Sequence, residues 1–194
     1  MKIILASKSP RRREILELLG LDFAVEVADT DERCDVLEPD RRVAELARQK
    51  GEAVIEQKLA CGEDVRDTLF IACDTLVYID GEFLGKPRDR ADAYRMLTAL
   101  SGNSHEVWSG IYVYLNGKAV SRAEVTRVNF CDMTHKEKER YLDSGEPFDK
   151  AGAYAVQGKA AVYIKGIEGD YFNVVGLPVN LLYRILQKEF GIEI

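Results

Sequence analysis

The chain has 194 residues, 46% hydrophobic and 31% charged, enough to bury a substantial core and within the usual range for one domain, taken here as 1–194. Its 27 Lys and Arg against 33 Asp and Glu give a formal net charge of −6, which excludes broad, stable binding to nucleic acid, where cationic surface supplies most of the affinity. No apolar run approaches the roughly 18 residues that cross a bilayer, and the opening Met1-Lys2-Ile3-Ile4-Leu5-Ala6 is interrupted at once by Lys8 and Arg11 to Arg13, so no membrane span and no secretion signal is read.

The four cysteines, Cys34, Cys61, Cys73 and Cys131, are scattered and only two histidines accompany them. Neither a zinc site nor a disulfide framework is suggested, and reduced thiols in a cytoplasm are expected. An acidic protein can still take a small anionic ligand carried by a divalent cation, provided that the phosphates meet a local basic cluster.

In chain order, residues 2–6 and 23–28 read as strands separated by a helix over 10–19, which Gly20 would cap. Residues 41–55 and 90–100 read as further helices, the second stopped by Ser101-Gly102, with an acidic loop over 61–67. A strand over 69–79 ends at the Asp80-Gly81 turn. Segments 107–115 and 119–130 flank Asn116-Gly117, a dipeptide suited to the positive φ angles of a tight hairpin turn. Thr134 with Glu137 is a capping-box pattern for a short helix to Asp143, and 178–189 is an amphipathic closing helix. Strands of both directions are implied, so the expected class is α/β with a mixed sheet flanked by helices. No repeat, low-complexity tract or linker marks a domain boundary.

The chemistry concentrates in a few places. Ser7-Lys8-Ser9-Pro10-Arg11-Arg12-Arg13 runs from a strand into a helix, with Ser9 as N-cap and Pro10 at the first helical position. Helix starts favour anions, and three arginines there cost up to about 1 kcal/mol each unless an anion offsets them. Ala72-Cys73-Asp74-Thr75 places a carboxylate in an otherwise apolar strand, and buried carboxylates are rare without a partner. Such an Asp is a metal ligand, a general base, or a structural partner of a Lys or Arg.

Gly85-Lys86-Pro87 follows the Asp80-Gly81 turn and would come back over Asp74 if the flanking segments pair as a hairpin. It is no P-loop, because Gly81 to Lys86 is one residue short of that spacing and Pro87 supplies no hydroxyl. Asp31-Glu32 offers the oxygen ligands that hard divalent cations need, and Lys50 lies on a helix. The last segment, Glu146 to Gly158, is dense in small residues that let backbone approach a ligand closely. It ends in Gln157, whose donor and acceptor match the N3–H and O4 edge of thymine or uracil, though an amide can flip to serve cytosine. Alone, none of these motifs is specific; together they are the parts of metal-assisted phosphoryl chemistry.

Ser7-Lys8-Ser9-Pro10-Arg11-Arg12, Asp74-Thr75 with Gly85-Lys86-Pro87, Met96-Leu97 to Leu100-Ser101-Gly102, His105-Glu106-Val107, Asp149-Lys150-Ala151-Gly152-Ala153-Tyr154 with Gln157-Gly158, and Val175-Gly176-Leu177-Pro178 together resemble the Maf family. The motifs fall in order across nearly the whole chain. The resemblance implies a fold like that of the inosine triphosphate pyrophosphatases, with two lobes around a cleft, a Mg²⁺ or Mn²⁺ cofactor, and hydrolysis of a nucleoside triphosphate between the α and β phosphates. It points to the branch acting on dTTP and UTP.

By the same resemblance Asp74 is the proton acceptor, and Glu32, Lys50 and Lys86 match the other charged positions of the family's site; the mechanism expected from these residues has Glu32 and Asp74 hold the metal. Arg11, Thr75 and Gln157 stand at positions tied to substrate choice. Ser7, Ser9, Arg11, Arg12, Lys50 and Lys86 are expected to bind the phosphates. The chain departs from the pattern at Ala155, where Gly is expected, and at Cys73, where Ala is more usual. A role in cell-division arrest and in keeping modified nucleotides out of nucleic acids goes with the family, and a homodimer is carried as an expectation with no residue pattern behind it. The competing reading is a nucleotide-binding regulator of septum formation in which catalysis is incidental.

Overall fold

Strand β1 (Lys2–Leu5) is buried from Ile3 onward and pairs in parallel with β2 (Ala24–Val25) and with β3 (Thr68–Ile79) in the computed structural model, which describes residues 1–30 and 34–194. The chain turns back at Asp80-Gly81, where φ is 49° and 84°, into β4 (Glu82–Leu84), antiparallel to β3 with Val77 opposite Leu84. Strands β5 (Ser104–Leu115) and β6 (Lys118–Phe130) are joined by Asn116-Gly117 at φ 49° and 86°. Two consecutive positive angles make the hairpin turn that the dipeptide predicts. Strand β7 (Ile164–Glu168) closes the edge antiparallel to β6. The seven-stranded sheet runs β2-β1-β3-β5-β6-β7, with β4 attached to β3, and is mixed as expected.

The helices are α1 (Pro10–Leu18), α2 (Pro39–Ala60), α3 (Arg90–Leu100), α4 (His135–Asp143), α5 (Tyr171–Val175) and α6 (Val179–Phe190). Helix α2 is longer than the expected 41–55 at both ends. Pro39 starts it, where a missing N–H costs nothing, and Glu56 to Ala60 are strong helix formers that carry it on to Cys61. The expected second strand over 23–28 shrinks to two residues, because only Ala24 and Val25 find partners on β1. Strand β7 and helix α5 had no periodic signal in the sequence.

Two compact units divide the chain: Met1–Asp74 with Ser109–Glu124 and Gly176–Ile194, and Thr75–Trp108 with Val125–Val175. In the first, α2 lays Ala47, Val54 and Ile55 on Ile4, Phe70, Ala72 and Tyr112. The contact is close because of two glycines. A Cβ on Gly51 of α2 would lie 2.3 Å from the Tyr112 ring, and one on Gly110 of β5 would lie 2.0 Å from the Val43 carbonyl oxygen. In the second unit, Val77, Leu84, Leu97, Val128, Phe130, Leu142 and Tyr154 share one core. Among the described residues no helix is long and apolar enough to cross a membrane.

Candidate active site

Strand β3 is buried without interruption from Thr68 to Asp74. Side chains two apart share a face of a strand, so Ala72 and Asp74 point the same way. Ala72 is the residue that Gly51 of α2 approaches, and the neighbouring Lys50 is thereby set over Asp74. Lys50 Nζ donates to Asp74 Oδ1 at 2.5 Å, with side chains 20% and 9% exposed. The second oxygen, Asp74 Oδ2, is buried and has no hydrogen-bond partner among the described residues. Desolvating a carboxylate oxygen without a partner is costly, and this atom is chemically suited to a donor or a cation. On the opposite face, Cys73 Sγ donates to the Gly176 carbonyl at 3.3 Å.

Leaving β1, the chain passes through buried Ser7. Its Oγ accepts from the Ser9 N–H at 3.2 Å and from Arg12 Nη1 at 3.0 Å. Arg12 Nε donates in turn to the Gly176 carbonyl at 2.8 Å. Ser9 is the N-cap residue by backbone geometry, yet its side chain makes no capping bond; Ser7 organises the turn instead. Arg11 and Arg12 are half-buried, while Arg13 is exposed and pairs with Glu17 one helical turn on. The three adjacent cations therefore have different fates, and the Arg12 guanidinium is already oriented by the protein.

In the second unit, half-buried Thr75 continues β3, and the expected hairpin forms, with Gly85 and exposed Lys86 following β4. The Gly152 N–H donates to the Gly85 carbonyl at 3.1 Å, which ties the lysine segment to the segment that carries Gln157. Gly152 and Ala153 both adopt left-handed backbone, at φ 67° and 59°. A Cβ on Gly152 would lie 2.8 Å from Val77 Cγ2, so only glycine fits there, while Ala153 bears strain of about 1 kcal/mol. Tyr154 is buried with its hydroxyl 2.7 Å from His105 Nε2, and Phe130 packs on both rings. Burial pushes His105 down to about 4 and the Tyr154 phenol up. Gln157 is exposed at the end of the segment.

Of the residues singled out by sequence, the structure joins Lys50 to Asp74 and Ser7 to Arg12. Glu32 lies outside the described residues. No group of three or more His, Cys, Asp or Glu is gathered for a metal among the described residues, but Asp74 Oδ2 is a hard, buried oxygen without a protein partner, and such a donor fits a divalent cation. Sequence reasoning gave no role to Gly51, nor to His105 and Glu146 beyond their place in the quoted motifs. A glycine inside a long helix pattern is the signal that would have found the first, because it marks a close packing contact.

A family model described as Maf-like protein matches residues 2–189. The chain belongs to the Maf-like family. Among relatives of this Maf-like chain, a protein of Carboxydothermus hydrogenoformans is 46% identical over 193 residues, covering 98% of this chain and 100% of that one. One of Agathobacter rectalis is 44% identical over 204 residues, covering 100% and 99%. One of Bacillus anthracis is 42% identical over 194 residues, covering 100% and 97%. All three are named dTTP/UTP pyrophosphatase. The Ham1 protein of Staphylococcus aureus superposes with a TM-score of 0.54 at 15% identity, over 97% of this chain and 100% of that one. That likeness supports the expected fold and nothing further.

Proposed function

We propose that this Maf-like protein is a nucleoside triphosphate pyrophosphatase that converts dTTP and UTP to the monophosphate and pyrophosphate. The observation that carries the reading is the Asp74 carboxylate, with one oxygen fixed by Lys50 and the other buried and unpartnered. It lies in a chain 42–46% identical over nearly its full length to proteins named for that activity. General-base work needs a proton acceptor held in one orientation, and the Lys50 bond supplies it.

In this reading a water attacks the α-phosphorus in line with the oxygen that bridges to the β-phosphate. The bond from the α-phosphorus to that oxygen breaks, and pyrophosphate departs with the electron pair. The Asp74 carboxylate orients the attacking water and takes its proton. Lys50, Arg11, Lys86 and the Ser7-Arg12 pair with Ser9 meet the phosphate oxygens and the charge that builds on pyrophosphate, because positioning and charge do most of the catalysis in so loose a transition state. Mg²⁺ or Mn²⁺ would be held by the Asp74 carboxylate together with Glu32. When bound, the cation neutralises phosphate charge and lowers the pKa of a ligated water. Gln157, with Arg11 and Thr75, selects the base. Clearance of modified pyrimidine nucleotides and arrest of cell division extend the same activity.

The test is pyrophosphate release from a panel of ribo-, deoxy- and modified nucleoside triphosphates with either metal, run beside Asp74→Asn. Metal-dependent turnover of dTTP and UTP should fall by about 10²- to 10⁴-fold or more in the variant while its circular dichroism is unchanged. Near wild-type turnover in Asp74→Asn removes Asp74 from the mechanism. Binding of nucleotides with no turnover of any would favour a nucleotide-sensing regulator. Gln157→Ala should lose mainly the dTTP-to-dCTP ratio, by roughly 1 to 3 kcal/mol.

A further inference from the structure

We infer that Glu146 is a positioning residue that fixes Gln157 for reading the nucleobase; the inference rests on the role given to Gln157 above. Glu146 opens a 3₁₀ turn (Glu146–Asp149) directly after α4, behind Gly145 at φ 74°. Its carboxylate reaches both ways along the chain. Oε1 accepts from the Tyr141 hydroxyl at 2.9 Å on α4, and Oε2 accepts from the Lys159 N–H at 3.0 Å, two residues past Gln157. Its backbone carbonyl accepts from Lys150 Nζ at 2.8 Å. One residue therefore holds the segment that ends in Gln157 near its beginning and just beyond its end.

Gly158 gives the closest measure of that hold. A Cβ there would lie 2.1 Å from Glu146 Oε1 and 2.7 Å from Oε2. Its φ of −131° and ψ of −160° are open to any residue, so glycine is needed for space and not for conformation. The backbone at 157–159 thus lies directly on the carboxylate. The Gly158 N–H also donates to the Ala155 carbonyl at 3.3 Å, which closes a tight turn with Gln157 at its third position. Gln157 itself is exposed. An exposed carboxamide gains selectivity only if its backbone is fixed before the ligand arrives, because ordering it afterwards draws on binding energy. The clamp does that ordering in advance. Tyr141 is buried, and burial with the adjacent Glu146 pushes its phenol up, so it remains a donor at working pH.

The experiment compares kcat and KM for dTTP and dCTP in Glu146→Ala, Glu146→Gln, Gln157→Ala and the Glu146→Ala/Gln157→Ala double variant. Glu146→Ala should lower the dTTP-to-dCTP ratio of kcat/KM about tenfold, by raising the KM for dTTP far more than it lowers kcat. Glu146→Gln should restore most of the ratio, since its amide oxygen can still accept from Lys159 while its NH₂ donates to the Tyr141 oxygen. In the Gln157→Ala background, loss of Glu146 should change the ratio no further.

Should Glu146→Ala not fold, Gly158→Ala displaces the carboxylate from the other side and should lose the ratio in the same way. A ratio that survives in Glu146→Ala or Gly158→Ala while Gln157→Ala destroys it overturns the inference alone. Equal losses for both nucleotides, persisting in the double variant, make Glu146 merely structural. A ratio unchanged in Gln157→Ala removes the role of Gln157 and the inference with it.

Discussion

Lys50 and Asp74 stand 24 positions apart and are joined Nζ to Oδ1 at 2.5 Å, with both side chains largely out of water. Removing one member of such a pair leaves the other charge buried and uncompensated, which costs about 3 to 5 kcal/mol, whereas removing both is far milder. Lys50→Met should therefore destabilise the protein by about 3 kcal/mol in urea denaturation, and Lys50→Met/Asp74→Asn should recover much of that. Additive losses in the double variant would show that the two groups are not energetically coupled.

The two glycines beneath α2 should differ in tolerance. Gly51→Ala gains about 1 kcal/mol of helix propensity but presses on the Tyr112 ring, which is itself buried and has little room to turn. Overpacking of that kind costs roughly 1 to 3 kcal/mol, so a net loss near the lower end is expected. Gly110→Ala meets the Val43 backbone, which cannot rotate away, and should lose more. Thermal unfolding of the pair checks the order, and a Gly110→Ala variant as stable as wild type would refute the close approach.

His105 supplies the pH dependence. Burial holds it down to about 4 from an ordinary 6.5, so between those values the unfolded chain binds more protons than the folded one. Stability tied to His105 is complete above pH 6.5 and is lost as pH falls towards 4, by about 3 kcal/mol at 1.36 kcal/mol per unit. His105→Gln keeps a partner for the Tyr154 hydroxyl without titrating. The wild-type-minus-variant difference in unfolding free energy should fall by about that amount from pH 7 to pH 4. A constant gap would mean that the imidazole reaches solvent.

The capping box at α4 is complete. Thr134 Oγ1 accepts from the Glu137 N–H, and the Glu137 carboxylate accepts from the Thr134 N–H at 2.8 Å. The Thr134 hydroxyl, which donates to Glu137 Oε2 at 2.7 Å, and then the Thr134 N–H hold the Glu137 carboxyl below the usual carboxylate range. Thr134→Ala should cost about 1 kcal/mol at pH 7, and less once acid protonates Glu137. Chemical denaturation at the two pH values measures both.

The sequence was most legible where local chemistry decides structure. Helix α3 keeps the expected bounds of Arg90 to Leu100, stopped at Ser101-Gly102; the Asn116-Gly117 turn has the positive angles that the dipeptide predicts; and α4 follows from Thr134 and Glu137. It was least legible where tertiary pairing decides, as in β2, which keeps only the two residues that β1 can partner, and β7, where Lys165 and Gly166 break any alternation. The same division holds for the site. Asp74 declared itself by being charged inside an apolar strand. Its bond to Lys50 did not, since it depends on how closely Gly51 lets a helix approach Ala72, and the hold of Glu146 on Gly158 depends on a turn that no period predicts.

The division of the chain into two compact units falls at 74/75, 108/109, 124/125 and 175/176, so the backbone crosses from one to the other four times. Three of those crossings lie inside strands β3, β5 and β6. Neither unit is therefore a contiguous stretch of gene that recombination could lift out and graft elsewhere. The first crossing separates Asp74 from Thr75, the proposed proton acceptor from a residue proposed to choose the substrate. Their inheritance is bound together by a single peptide bond, and new specificities in such a chain must arise by substitution in place, not by exchange of parts.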